Sequence, residues 1–243
     1  MKKQFAVFDI DGTIARTSLL QQLVRVLVNR GKIDIGPANQ IETMLHDFRQ
    51  RIADDDFGDY MEKAVDILFK AMPNGMTVAE YDEIIDVVVK MSLTHTYVYT
   101  RQLIKTLKRN NFFLIAISGS ERRIVGTLSQ ALGFDAWVGQ VEYLHDGNKL
   151  TGEVKALSLS KDKILRTLIK KFDLDTRGSL AVGDTSTDIP LLDMVESPVV
   201  FNPNQALFTY ARDKGWMTVI ERKDMVYGLA YENNQYVLKS VNV

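Results

Sequence analysis

The 243-residue sequence contains no cysteine, which excludes disulfide staples, thiolate metal sites and a cysteine nucleophile. Long hydrophobic runs are also missing. No segment approaches the charge-free length needed to span a bilayer. The basic start Met1-Lys2-Lys3 leads into an apolar run that meets Asp9 and Asp11 at once, so it lacks the longer uncharged stretch of a signal peptide. A cytoplasmic chain without membrane contact is therefore expected. Charge of one sign is absent too: 30 Lys and Arg stand against 31 Asp and Glu, a formal net charge of −1. No global field draws the chain to nucleic acid. The basic clusters Lys105–Arg109 and Lys161–Lys171 stand at helical spacing among apolar residues and are expected to be solvated helix faces. There is no internal repeat and no low-complexity tract.

What is present is the composition of an ordinary globular protein, 46% hydrophobic and 25% charged, enough for one sizeable core. Phe5–Phe8 is a short apolar run ending in polar residues, the pattern of a buried parallel strand. Similar runs recur at Phe112–Ile117, Leu180–Val182 and Val199–Phe201. Helices are expected at Thr96–Arg109, Glu121–Ala131, Lys161–Phe172, Thr187–Met194 and Asn204–Lys214. Strands alternating with helices predict an α/β fold, a Rossmann-like doubly wound and mostly parallel sheet. Residues 17–93 break that alternation. Leu19, Leu20, Leu23, Val24 and Leu27 recur at helical period, as do Ile41, Met44, Leu45 and Phe48, then Met61, Val65 and Leu68, then Tyr81, Ile84, Ile85 and Val88. Turn signals at Gly31, Gly36-Pro37 and Pro73-Asn74-Gly75 separate these stretches. The expected organisation is a core of residues 1–16 and 94–243 with an inserted helical domain, 17–93. A hairpin is expected around Asp146-Gly147, and the end of the chain carries little signal beyond the alternation in Tyr236-Val237-Leu238.

Four polar clusters follow these strands. Asp9-Ile10-Asp11-Gly12-Thr13 places two carboxylates beyond the first strand, where they repel one another unless a cation is near. In open α/β sheets the ligand crevice lies beyond the carboxyl ends of the strands. Ser118-Gly119-Ser120 precedes a helix, offering a hydroxyl and helix N-terminal amides as an oxyanion corner; Ser120 is expected to cap the helix, leaving Ser118 to face the ligand. Lys161 opens a helix, against the helix dipole, a placement that an anion nearby would offset; Lys155 and Lys163 compete with it. Gly183-Asp184-Thr185-Ser186-Thr187-Asp188 brings two further carboxylates, completing an oxygen-rich site suited to Mg²⁺. Each cluster alone has an ordinary structural explanation as a turn, cap or exposed charge. Their joint order does not.

With those residues in that order, from about Phe5 to Gly215, the chain resembles the haloacid dehalogenase superfamily of phosphohydrolases. The insertion and Phe201-Asn202-Pro203-Asn204 look like its phosphoserine-phosphatase-like branch, whose insertion is a helical cap. The resemblance implies a phosphatase acting on a small-molecule phosphomonoester, with Asp9 as nucleophile and Asp11 as acid and base. It implies Ser118, Gly119 and Lys161 around the phosphoryl group, and Mg²⁺ held by Asp9, the Asp11 carbonyl and Asp184 with support from Asp188. Two departures bear on substrate. Ala15–Gln22 has no carboxylate where phosphoserine phosphatases carry acidic recognition residues, and Thr187 stands where those enzymes usually have Asn. Two other readings keep the fold: transfer of the phosphoryl group to another acceptor, and a phosphate-binding regulatory module without turnover. Asp54-Asp55-Asp56 is expected to be an acidic turn, and His46 an exposed or capping residue.

Overall fold

A computed structural model describes residues 2–50, 57–72, 75–157 and 159–242. The first apolar run forms strand β1 (Lys3–Phe8), with Ala6 and Phe8 in one hydrophobic cluster and Phe5 and Val7 in another. Both faces of the strand are covered, which is why its sequence is continuously apolar rather than alternating. Four helices follow: α1 (Leu19–Asn29), α2 (Ile35–Gln50), α3 (Phe57–Ala71) and α4 (Val78–Thr94). The chain then runs through α5 (Val98–Arg109), β2 (Phe113–Glu121), α6 (Arg122–Leu132), β3 (Ala136–His145), β4 (Leu150–Ala156), α7 (Lys161–Phe172) and β5 (Leu174–Gly183). A 3₁₀ turn at Ser186–Asp188 leads to α8 (Ile189–Leu192), β6 (Ser197–Phe201), α9 (Gln205–Lys214), β7 (Met217–Arg222), β8 (Met225–Glu232) and β9 (Gln235–Asn242).

Among the described residues the strands form one sheet in the order β4-β3-β2-β1-β5-β6-β7-β8-β9. The six strands from β3 to β7 in that order are parallel; β4 pairs antiparallel with β3, β8 with β7 and β9 with β8. The chain winds outward from β1 through β2 to β3, then crosses back to β5 on the other side. Strand order therefore reverses between β1 and β5, and a crevice opens there at their carboxyl ends. One face of the sheet packs on α5, α6 and the inserted helices, the other on α7, α8 and α9.

The inserted helices are joined to the sheet by two neighbouring crossings. Arg16 N–H donates to the His95 carbonyl and Tyr97 N–H to that of Ile14, both at 2.9 Å, with Ala15 bridging Thr96. A third attachment is made without chain continuity. Gly75 N–H donates to Leu150 O at 3.0 Å, Leu150 N–H to Met76 O at 2.8 Å and Val78 N–H to Asn148 O at 2.8 Å. The β3–β4 hairpin is thus backbone-bonded to the entry of α4. That helix is fixed in turn by a capping box of Thr77 and Glu80 and by Lys32 Nζ on Glu80 at 2.7 Å. Buried side chains of α1 and α4 belong to the same cluster as Leu114, Ala116 and Ile124 of β2 and α6.

Two expectations are corrected and a third is extended. The single helix over Thr187–Met194 is a 3₁₀ turn and a four-residue helix, because the Asp188 carboxylate folds back onto the amides of Asp184 and Thr185. Helix α6 is capped by Glu121, not Ser120, because β2 continues three residues past Ser118. The chain end, which carried little signal, is a strand pair closed by Asn233 and Asn234 at φ 51° and 63°. Two adjacent left-handed asparagines make a two-residue hairpin turn. Asp54-Asp55-Asp56 and Pro73-Asn74 lie outside the described residues, while His46 is exposed on α2. The Asp146-Gly147 hairpin is present, with Asp146 Oδ1 accepting the Asn148 and Lys149 amides at 3.0 and 2.8 Å.

Candidate active site

Asp9 leaves β1 buried, its N–H donated to Val182 O of β5 at 3.0 Å. The chain then turns back on itself, with the Ile10 carbonyl accepting the amides of Ile14 and Ala15 at 2.8 and 2.9 Å. Gly12 sits in the turn at φ +85°, and a Cβ there would lie 2.1 Å from Asp184 Oδ2. Glycine is required on both counts: the left-handed backbone and the close approach of a carboxylate. Thr13, fully buried, donates its hydroxyl to Asp184 Oδ1 at 3.1 Å.

Lys161 projects from the first turn of α7 into the same place. Its Nζ donates to Asp9 Oδ1 and to Asp188 Oδ1, each at 2.6 Å. All three side chains are nearly or fully buried. The competing lysines, Lys155 and Lys163, are exposed. The other oxygen of Asp188 accepts the amides of Asp184 and Thr185 at 3.1 and 3.0 Å. A Cβ on Gly183 would fall 2.5 Å from Asp188 Cβ, so this glycine makes room for the fold-back. Gln140 Nε2 donates to Leu157 O and Leu159 O, holding the segment that delivers Lys161.

Three carboxylates and one ammonium leave this buried cluster two negative charges in excess. Burial, opposed by Lys161, pushes the Asp9 carboxyl up to about 7, with Asp188 and Asp11 adding to the rise. Burial, then Asp9 and Asp188, push Asp184 well above the usual carboxylate range. Burial alone would lower Lys161; the carboxylates of Asp188 and Asp9 outweigh it and hold the ammonium charged above its ordinary range. Asp9, Asp184 and Asp188 each offer an oxygen, all within 4.8 Å of one another. Hard oxygen donors carrying excess negative charge fit a divalent cation, and these residues can hold one.

Asp11 belongs to a second group. Its Oδ2 accepts the hydroxyls of Ser118 and Ser120 at 3.0 and 2.7 Å, and its Oδ1 accepts the Leu19 amide at 2.6 Å. The carboxylate thus joins the β2 corner to the first residue of α1. Ser118 Oγ accepts the Ser120 amide at 3.0 Å, and Gly119 is exposed beside it. A cavity of about 540 Å³ opens over both groups, lined among others by Asp9, Asp11, Gly119, Ser120, Lys161 and Thr185. Ser120 and Thr13 were not picked out from the sequence as site residues. Ser120 carries the signal of a helix cap, and only the extra length of β2 turns its hydroxyl to Asp11.

The geometry is that of an acidic crevice with one buried lysine at a Rossmann-like switch point. Residues 6–193 match the model of the haloacid dehalogenase-like hydrolase family, and the chain belongs to that family. It is 28% identical over 134 residues to a phosphoserine phosphatase of Wolinella succinogenes, covering 54% of this chain and 62% of that protein. The chain thus spans less than two thirds of that relative's length. It is 25% identical over 228 residues to a histidinol-phosphatase of Neisseria meningitidis, covering 88% of this chain and 97% of that one. A solved structure of a phospho-aspartyl intermediate analogue of phosphoserine phosphatase shares the fold, with a TM-score of 0.61 at 19% identity over 86% of this chain and 91% of that one. Among the described residues no helix is long and apolar enough to cross a membrane.

Proposed function

We propose that the chain is a Mg²⁺-dependent phosphatase of small-molecule phosphomonoesters that works through an aspartyl phosphate on Asp9. Residues 1–16 and 94–243 form the catalytic core in this reading, and residues 17–93 the cap over its crevice. The observation that carries it is the paired contact of Lys161 with Asp9 and Asp188, set against an acidic triad at the end of the strands. A buried carboxyl paired with a lysine, facing a cavity lined by Gly119 and the hydroxyl residues Ser120 and Thr185, is suited to attack on a phosphorus atom. The names of two relatives point the same way.

In the first transfer a bond forms between an Asp9 carboxylate oxygen and phosphorus while the bond from phosphorus to the ester oxygen breaks. Asp11 gives its proton to the departing oxygen. In the second transfer water attacks the acyl phosphate, Asp11 takes the water's proton, and Asp9 is regenerated with release of inorganic phosphate. Gly119 and Lys161 orient the phosphoryl oxygens and balance their charge; Ser118, fully buried with its hydroxyl on Asp11, joins them by turning from that carboxylate. Asp9, Asp184 and the Asp11 carbonyl would hold Mg²⁺ with Asp188 in support, and the bound ion would offset the charge that keeps carboxylate and phosphate apart. Thr13 and the Asp184 and Thr185 amides keep the acidic side chains in register.

Hydrolysis of an aryl phosphate tests the reading. Phosphate release is expected with Mg²⁺, to cease with a chelator, and to fall by at least about three orders of magnitude in Asp9→Asn while the far-ultraviolet dichroism stays unchanged. Retention of most of the rate in Asp9→Asn removes the nucleophile assignment, and inactivity across a broad ester panel removes the phosphatase reading.

A further inference from the structure

Glu121 directly follows the Ser118–Ser120 corner, and only 6% of it is exposed. Its Oε2 accepts the Ile124 amide at 2.9 Å and caps α6. Its Oε1 is buried and has no hydrogen-bond partner among the described residues. Capping alone does not account for this residue. Serine or threonine caps a helix with a single side-chain oxygen, and an acceptor kept from both water and partner is unfavourable.

The residue lines a small pocket walled by Leu20 and Leu23 of α1, Val65 of α3 and Val141 of β3. The pocket adjoins the 540 Å³ cavity, sharing Val65, Gly119, Ser120 and Val141 with it. Its free volume, about 10 Å³, is that of a single water-sized group. Ile124, Gly119 and the hydroxyl residues Ser120 and Tyr143 complete the lining, so Glu121 is the one carboxyl group of a mostly apolar recess beside the phosphate corner.

We propose that this recess is a specificity subsite, in which Glu121 Oε1 accepts a hydrogen bond from a single hydroxyl or ammonium group on the leaving portion of the phosphate ester. The proposal rests on the phosphatase reading above and names the substrate class: small esters whose leaving group carries a hydrogen-bond donor. An anionic head is repelled by the carboxylate, an apolar head leaves Oε1 stranded, and a bulky head does not fit. Sites built to accept a donor discriminate strongly against analogues that lack it.

The test measures kcat/KM of the full chain with Mg²⁺ on n-alkyl phosphates of two to four carbons. The chains end in methyl, hydroxyl, ammonium or carboxylate, with p-nitrophenyl phosphate as the control. At the best chain length a donor-ended ester is expected to lead the methyl-ended one by about 10- to 100-fold, the ammonium and hydroxyl arms identifying the preferred donor. Glu121→Gln keeps an oxygen for the Ile124 amide but turns an N–H into the recess. It should abolish the lead, chiefly through KM, and leave the aryl phosphate rate within about two-fold. Leu20→Phe, which fills the recess from α1, should abolish the lead in the same way. A wild-type protein without the lead, or a lead that survives both variants, overturns the proposal. An equal loss on donor-ended and aryl esters in Glu121→Gln reduces Glu121 to a helix cap and overturns it too. Absence of hydrolysis of every ester by the wild type is the separate failure of the phosphatase reading, and the subsite falls with it.

Discussion

Replacing Lys161 by methionine is the most demanding perturbation of the buried cluster. Methionine conserves most of the side-chain volume and removes the charge. Lys161 is 7% exposed, the Asp9 side chain 7% and that of Asp188 0%, so water cannot take over the two 2.6 Å contacts that disappear. Breaking a buried ion pair by removing one partner costs about 3–5 kcal/mol, because the orphaned charge stays in a poor solvent. Two carboxylates lose their cation here at once, which places the loss at the upper end of that range. Against a total stability of about 5–15 kcal/mol, the variant should be visibly weakened. Urea unfolding in a chelator measures it. The midpoint should drop in Lys161→Met and recover partly in Lys161→Met/Asp188→Asn, where one surplus negative charge is also removed. Saturating Mg²⁺ should raise the midpoint of Lys161→Met through the native-state linkage that any bound cation provides. Turnover should stay lost throughout. A Lys161→Met protein as stable in chelator as the wild type would refute the claim that these charges are mutually buried.

Four other outcomes follow from the rest of the molecule. Gly12→Ala forces a left-handed alanine, worth about 1–2 kcal/mol, and drives Asp184 away from a Cβ that would sit 2.1 Å from it; calorimetry should find Mg²⁺ affinity reduced by at least about ten-fold. Thr77→Ala removes half of the α4 capping box and should lower stability by about 1 kcal/mol. Lys32 first, then the Thr77 amide and hydroxyl, hold Glu80 down to about 2. Its contribution is therefore present above the unfolded value of 4.5, and the gap between wild type and Glu80→Gln should close as pH falls from 4.5 toward 2. Glu121 has the opposite sign. Burial pushes it from 4.5 up to about 7, so the native state binds the extra proton between those values and wild-type stability declines as pH rises through them. Glu121→Gln should remove that decline, worth on the order of 3 kcal/mol at most, and unfolding curves at pH 5 and pH 8 would measure it.

The acidic and basic residues at strand ends were legible because a buried parallel strand must be apolar on both faces, so the point where it stops is sharp. Phe5–Phe8 and Leu180–Val182 therefore mark Asp9 and Asp184 without knowledge of the fold. Lys161 was separable from Lys155 and Lys163 only through order and resemblance, since nothing local distinguishes a buried lysine from its exposed neighbours. The structure separates them by burial. Ser120 and Glu121 were misjudged for a different reason. Serine before a helix has a strong local preference for capping, and the continuation of β2 to Glu121, set by pairing with β3, overrides it. The last strand was faint because Gln235–Asn242 is half polar. The adjacent Asn233 and Asn234, both suited to positive φ, were the available sign of their hairpin.

The amide pairing of residues 75–78 with 148–150 means that the helical layer and the β3–β4 ribbon share a seam. Under the proposed phosphatase reading, admission of an ester and escape of phosphate would have two routes. Either the three amide contacts part with every turnover, or the ribbon swings together with the helices as one rigid flap. In the second case the moving boundary passes through β3 near the register shift at Tyr143 and His145, well away from the covalent crossings at residues 14–16 and 95–97. The gate would then be wider than the inserted segment that the chain order alone defines.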